Sequence, residues 1–447
     1  MKNKFSYTAL VGFHLFLGTL IFINKGLGKI YFIAILIYFL RKIILASNED
    51  KDKYILMGCA YFVGAEVFFR MTKSALSYEA CKYIVILFSL IGIIYKGASG
   101  RAYPYFIYLI CLVPAIFVAS MTLSLEANFR KNVLFVLSGP ICLGIASIFC
   151  FDRKISRHQL EDILLYALLP LISLTTYVFL YNPSVKDVLS GTSSNAATSG
   201  GFGANQVSTV LGLGMFIIGA RIISGSSKLL VTILNVLIFV AISFRAVVTF
   251  SRGGVIVGLL CIVFFLLTYF VSSPGRIKGA LLKRVVFFFT IILITWGISS
   301  NQTEGLIDKR YANENALGVE KEDVTTGRFT LFMDEIEGFV KNPFLGLGAS
   351  RTKDKRIEEQ RESLPTHNEV GRVLGEHGFL GIVILLILIF TPLIYRSQNK
   401  RNYYFYAFLC FWFATINHSS MRIAAPGFIY ALALLNITNE KPALHRK

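Results

Sequence analysis

Charge is scarce in this chain. Asp, Glu, Lys and Arg make up 16% of its 447 residues and hydrophobic residues 55%, and a soluble fold has no way to bury so much apolar surface. Acidic residues are scarcest, 26 against 45 Lys and Arg. The cysteines, at 59, 81, 111, 142, 150, 261 and 410, all lie in or beside apolar runs. None forms a CxxC pair, which speaks against disulfides and against a cysteine-based metal site. The chain also lacks His-Glu-x-x-His, a phosphate-binding glycine loop and an Asp-x-Asp cluster, so chemistry that requires a bound metal or ATP has no support. No internal repeat is visible, and Phe5–Ile23 runs on into further apolar segments without a small-residue cleavage pattern.

What is present is a succession of apolar runs of membrane-spanning length. They fall at about 5–23, 29–45, 54–69, 82–96, 104–121, 132–151, 160–181, 205–223, 229–249, 254–271, 284–299, 378–395, 402–417 and 426–438. Several are short or interrupted by Gly and Pro, which predicts an all-α, polytopic integral membrane protein of about 12–14 spans. The chain divides into N-terminal spans (1–204), a second set (205–299), a long polar block (300–377) and C-terminal spans (378–447). The basic excess is spread over the loops of one face, where the positive-inside bias accounts for it without nucleic acid. The basic segments Arg276–Arg284 and Arg396–Arg401 flank the two spans that border the polar block. Both termini are therefore expected inside and the block outside. A second outer loop, 182–204, is rich in Ser, Thr, Gly and Asn and reads as flexible.

The polar block holds 15 of the 26 acidic residues and 11 of the 45 basic ones, so it is net −4 while the rest is net +23. From Thr326-Gly-Arg-Phe onward, Phe329, Phe332, Met333, Ile336, Phe339 and Val340 follow helical spacing as far as Asn342-Pro343. That predicts an amphipathic helix against the membrane or the mouth of the bundle. Gly346-Leu-Gly348 turns the chain, and the charge-dense Arg351–Glu362 reads as a solvated helix or lid. Thr366-His-Asn-Glu369 matches a capping box. It puts His367 in the first helical turn, where the helix dipole disfavours the protonated ring and leaves a base able to accept a proton. A surface histidine without chemistry is the alternative. Gly371, Gly375, Gly378 and Gly381 follow, and small residues of this kind let helices approach closely.

Arginines end the hydrophobic spans. Arg252 in Ser251-Arg-Gly-Gly and Arg245, two turns earlier, suit a phosphate or pyrophosphate group, because Arg stays charged and binds oxyanions bidentately. Snorkelling to lipid phosphates is the alternative for both. Arg328, ahead of the amphipathic helix, is a further candidate and Arg422 a weaker one. Glu66 and Arg70, four apart, read as a structural ion pair. His14 and His418 have no ligand-spaced partners, and His377 reads as interfacial.

Together these elements resemble the superfamily of O-antigen ligases and polymerases, bacterial membrane glycosyltransferases. The resemblance rests on Gly203-Ala-Asn205-Gln opening a span, Ser251-Arg252-Gly253, Thr326-Gly-Arg328, Asn342-Pro-Phe-Leu-Gly346-Leu-Gly348, and His367-Asn368 followed by nine residues and Gly378-Phe-Leu-Gly381. It covers roughly 200–395, and Ile382 stands where the family often has Thr or Val. The family implies an all-helical, GT-C-like fold in the bacterial inner membrane with its site on the periplasmic face. The implied donor is a glycan on undecaprenyl pyrophosphate; the acceptor is lipid A–core oligosaccharide for a ligase or a lipid-linked saccharide for a polymerase. No cofactor or metal is implied. On this reading His367 is the base, Arg252 and Arg328 clamp the pyrophosphate electrostatically, and Arg245, Asn205 and Asn368 bind substrate. The His-Asn-x9-Gly-x-x-Gly spacing favours the ligase over the polymerase. A polysaccharide flippase would instead show repeat-related halves and charges through the whole membrane.

Overall fold

The computed structural model describes residues 6–124, 127–189, 191–226, 228–321, 327–359, 367–398 and 400–438. The first eight helices are α1 (Tyr7–Ile23), α2 (Gly26–Leu45), α3 (Lys51–Met71), α4 (Ala80–Lys96), α5 (Tyr103–Leu112), α6 (Pro114–Thr122), α7 (Phe129–Cys150) and α8 (Arg157–Tyr181). The next four are α9 (Ala204–Ser224), α10 (Leu229–Val248), α11 (Arg252–Ser272) and α12 (Gly275–Gln302). The polar block folds as α13 (Leu306–Tyr311), α14 (Arg328–Lys341), α15 (Arg351–Glu358) and α16 (Glu369–His377). The chain then continues through α17 (Phe379–Gln398), α18 (Phe405–Ile416) and α19 (Ala425–Leu432). Among the described residues, nine helices are long and apolar enough to cross a membrane, counting α5 and α6 as one run broken at Pro114. The shorter α1 and α18 are apolar too. The protein is thus an all-α polytopic membrane protein, as its composition predicts.

Local sequence sets several helix starts. Ser6 and Asn128 accept backbone N–H groups at the heads of α1 and α7, and Ser156 with Gln159 forms a full capping box for α8. Within the bundle, close approach depends on missing side chains. A Cβ on Gly254 of α11 would lie 2.2 Å from the Ser208 main chain of α9, and one on Gly64 of α3 would lie 2.0 Å from the Ala167 carbonyl of α8. α3 lies at the centre, with nearly every residue from Ile55 to Arg70 buried.

The expected last span, 426–438, is not a continuous helix. α19 ends at Leu432, and Asn436–Thr438 (β2) pairs in parallel with Lys154–Ser156 (β1). Both ends of this segment touch α3 or its partners: Ala424 N–H donates to Glu66 at 2.6 Å, while Arg153, beside β1, pairs with Asp52 at 3.0 Å. Asp52 and Glu66 are fourteen residues apart, roughly 21 Å along a helix. The segment therefore covers most of that depth with eight helical residues and a stretch of irregular backbone. Such backbone is tolerated here because protein surrounds it: Ala425–Leu435 are buried throughout.

The polar block packs as a cap on one end of the bundle. α14 lies along α16, and Gly371 and Gly375 make room for it, since a Cβ at either would collide with Glu335. The apolar residues Phe329, Met333 and Val340 face outward. α15 is docked, contrary to its expected solvation. Asp354 accepts from the Ser124 N–H at 2.8 Å and its hydroxyl at 3.0 Å, and Arg356 reaches Glu335 at 3.4 Å. Alternating charges alone could not reveal that every second residue here, Thr352, Asp354 and Arg356, is buried.

Candidate functional site

The Asn342–Gly348 turn holds the junction of α16 and α17. Phe379 N–H donates to the Pro343 carbonyl at 2.6 Å, Leu347 N–H to Gly375 at 2.9 Å and Gly348 N–H to Glu376 at 3.1 Å. Gly346 and Gly378 both adopt positive φ (+71° and +60°) and press their backbones together, leaving no room for a Cβ on either. These glycines and Pro343 thereby fix the direction in which α16 leaves the bundle, and with it the segment that bears His367.

His367 lies one residue before the N-cap of α16 rather than in its first turn. Asn368 is the N-cap of α16, its Oδ1 accepting the Gly371 N–H at 3.0 Å. Its Nδ2 donates to Asn417 at 3.2 Å. Asn competes well with Thr for the capping position, which moves the helix start two residues downstream. Thr366, the expected cap, and Thr326 of the Thr-Gly-Arg motif lie outside the described residues. The His367 ring is held by the His418 main chain, and its Nδ1 is buried without a partner. Its pKa is lowered to about 4, first by burial and then by the cations of Arg422 and Arg328. The ring is therefore neutral at pH 7, as expected, but burial and two arginines account for it rather than the helix dipole.

A turn and a helix build the arginine group. Phe250 takes φ +57°, a rare conformation for an aromatic residue, and reverses the chain between α10 and α11. Its carbonyl accepts Arg310 Nε at 3.1 Å, while Arg252 Nη1 donates to the Arg310 carbonyl at 3.3 Å. The turn and α13 thus hold one another. Asn205 sits beneath, accepting the Ser251 hydroxyl at 2.8 Å. Arg310 has its pKa lowered by burial and then by Arg252 and Arg328, and Arg328 by burial and then by Arg252. Lys321 faces the same group and is lowered by burial, Arg310 and Arg252. Tyr311, stacked edge-on against Trp296 with centroids 4.8 Å apart, has its hydroxyl pushed up to about 12 by burial. Arg252, Arg310 and Arg328 form one cationic surface, and Arg328 connects it to His367.

The structure thus brings Arg252, Arg328, His367, Asn368 and Asn205 to one end of the bundle and leaves Arg245 out. Arg245 is fully buried, stacks over Phe179 and donates to the Asn182 carbonyl at 2.7 Å. Helical spacing from Arg252 assumed one continuous helix, but the turn at Phe250 puts the two residues on different helices. Two residues enter that their sequence context did not single out, Arg310 and His418, and Arg422, the weaker candidate of the sequence, joins them. The His418 ring packs on Gly253, where a Cβ would lie 2.4 Å from it, which explains the glycine after Arg252. Ala414 O engages its Nδ1 at 2.9 Å and the Thr209 hydroxyl its Nε2 at 3.3 Å. Of these two neighbouring histidines, only His367 keeps a nitrogen without a partner. His377 is wholly buried rather than interfacial. Its neighbour Arg372 is already bound by Glu369 and by Glu376 at 2.6 Å.

Residues 236–386 match the family model described as O-antigen ligase. The matched third of the chain contains Arg252, Arg310, Arg328, His367 and Asn368, and supports a membrane glycosyltransferase of the ligase or polymerase type. Asn205, His418 and Arg422 lie outside it. No curated protein matches the chain.

Proposed function

Taking as premise that residues 236–386 carry the O-antigen ligase family segment, we propose that the protein transfers a glycan from undecaprenyl pyrophosphate to a sugar hydroxyl of lipid A–core. The reaction takes place at the periplasmic face of the bacterial inner membrane. The observation that carries this reading is a neutral histidine with an unpartnered ring nitrogen beside a group of arginines that depress one another's pKa values. A cationic surface of this kind suits a pyrophosphate, and a donor already activated as a glycosyl pyrophosphate needs no nucleotide.

In the proposed step the acceptor hydroxyl gives its proton to His367 Nδ1 as its oxygen attacks the anomeric carbon. The bond from that carbon to the phosphate oxygen breaks, and the electron pair leaves on undecaprenyl pyrophosphate. Arg252 and Arg328 stabilise the charge that develops there. A single displacement inverts the anomeric configuration. Asn368 holds the start of α16 in place and Asn205 braces Ser251 beside Arg252, so both act on substrate through the residues they position.

The test is transfer by purified protein supplied with defined lipid-linked donor and with lipid A–core. His367→Ala should lose about 10²–10⁴-fold in turnover while its amount in the membrane is unchanged. Retained activity would remove the base assignment. Product formed only when a second lipid-linked saccharide replaces lipid A–core would identify a polymerase instead.

A further inference from the structure

The loop between α18 and α19 carries both His418 and Arg422, and its main chain is gripped from α3. Arg70 Nη1 donates to the Arg422 carbonyl at 3.1 Å, and Glu66 Oε2 accepts the Ala424 N–H at 2.6 Å. The two side chains are themselves paired at 2.5 Å and both are almost completely buried. Arg70 also donates to Gln206 of α9 at 3.0 Å and stacks over Tyr78 at 4.0 Å, and Gln206 bonds the Tyr78 hydroxyl at 3.1 Å. On the far side α7 closes the grip, since a Cβ on Gly139 would lie 2.2 Å from the Met421 carbonyl. A buried ion pair needs no main-chain partners for its own charge balance, so its bonds to the two successive peptide groups that follow Arg422 require a separate reason.

We infer that Glu66 and Arg70 are positioning residues that clamp the main chain directly after Arg422, opposite the packing of α7 on Met421 before it, and so hold the Arg422 guanidinium against His367. The inference rests on His367 acting as the base. The charged and titratable groups facing His367 are Arg328 at the head of α14, and His418 and Arg422 of the clamped loop. Release of the loop would move Arg422 and His418 together, disturbing both the cation beside His367 and the carbonyl that fixes its ring. Misplacement by about 1 Å is enough to cost roughly 10²-fold in turnover.

The experiment compares Arg70→Lys and Glu66→Gln, each keeping size but changing how the loop is gripped, with Arg422→Lys and His367→Ala in the purified full-length enzyme. The clamp predicts that Arg70→Lys and Glu66→Gln lower kcat by about 10–10²-fold with little change in the KM for donor. It also predicts that the acidic limb of their kcat/KM profiles moves to higher pH, because a cation that disfavours protonation has been displaced. Arg422→Lys should give a weaker shift in the same direction. A merely structural role would lower yield and leave both the pH limb and the kcat of folded protein unaltered, and that result would overturn the clamp. If Glu66→Gln does not accumulate, Arg70→Lys decides the question. An inactive His367→Ala beside a wild-type Arg70→Lys refutes the clamp alone, whereas an active His367→Ala refutes the base assignment on which it rests.

Discussion

Two groups of charge lie side by side near one end of the bundle, and they follow opposite rules. In the first, cations and carboxylates alternate: Glu66 with Arg70 at 2.5 Å, Arg70 with Glu79 at 3.3 Å, and Glu79 with Lys82 at 2.5 Å. In the second, the neighbours that shift Arg310 and Arg328 are themselves arginines. A group that completes its own charge balance contributes rigidity and positioning rather than affinity for an anion, because removing two charges from water offsets most of their attraction. Cations facing cations are unfavourable by themselves and gain from an anion, which is the property a pyrophosphate site requires.

The comparison breaks most visibly in the paired group. Lys82→Ala leaves Glu79 with one cation fewer, and thermal or denaturant unfolding should show a loss of about 3–5 kcal/mol, with normal turnover per folded molecule. Lost chemistry at unchanged stability would mean that the paired group belongs to the site. The arginine group should respond in the opposite way. Arg252→Lys and Arg328→Ala are expected to lower turnover by about 10²–10³-fold while stability is kept, the first by losing the bidentate geometry and the second by losing the cation. Wild-type kinetics in both would refute a clamp on the leaving group.

A finer test uses pH. Burial and then Arg422 and Arg328 lower the His367 pKa to about 4. A bound pyrophosphate offsets those arginines and favours the protonated ring, so its pKa rises on donor binding. The acidic limb of kcat, which reports the complex, should therefore lie at higher pH than that of kcat/KM, which reports the free enzyme. Coincident limbs would mean that the arginines and the donor's phosphates are not near this ring. The smallest effects are expected from Arg245→Lys and from EDTA, both of which should leave turnover unchanged. Activity lost to chelation and restored by Mg²⁺ would show that a cation supplies part of the charge assigned to the arginines.

How far these groups could be read from the sequence depended on the range of the contacts. The Glu66–Arg70 pair, the glycine spacing along α16 and the amphipathic helix at 328–341 are local, and helical periodicity exposes them. From the sequence alone His418 has no role and Arg422 only a weak one, because their partners are Gly253, Arg328 and His367, between roughly fifty and a hundred and seventy residues away in the chain, and no periodicity records such distances. Arg245 shows the converse. Spacing predicted a shared face with Arg252 on the premise that the helix continues, and one aromatic residue at φ +57° ends that continuity. The cap at Asn368 was missed for a narrower reason: Thr366 and Asn368 are both good caps, and only the bond to Gly371 N–H distinguishes them.

The divided last crossing bears on how the protein is made. Eight helical residues followed by a turn and a three-residue strand present too short an apolar face, with too many open peptide groups, to enter a bilayer unaided. Their hydrogen-bonding partners, the Arg153 carbonyl and the Glu66 carboxylate, exist as a surface only after α3, α7 and α8 have assembled. Residues 424–438 should therefore dock only after α3, α7 and α8 have come together, and the same docking draws Arg422 into place. Chains that stop before 424 would carry the long helices described above but lack the segment whose Ala424 amide and β2 strand tie the Arg422 loop to α3 and β1.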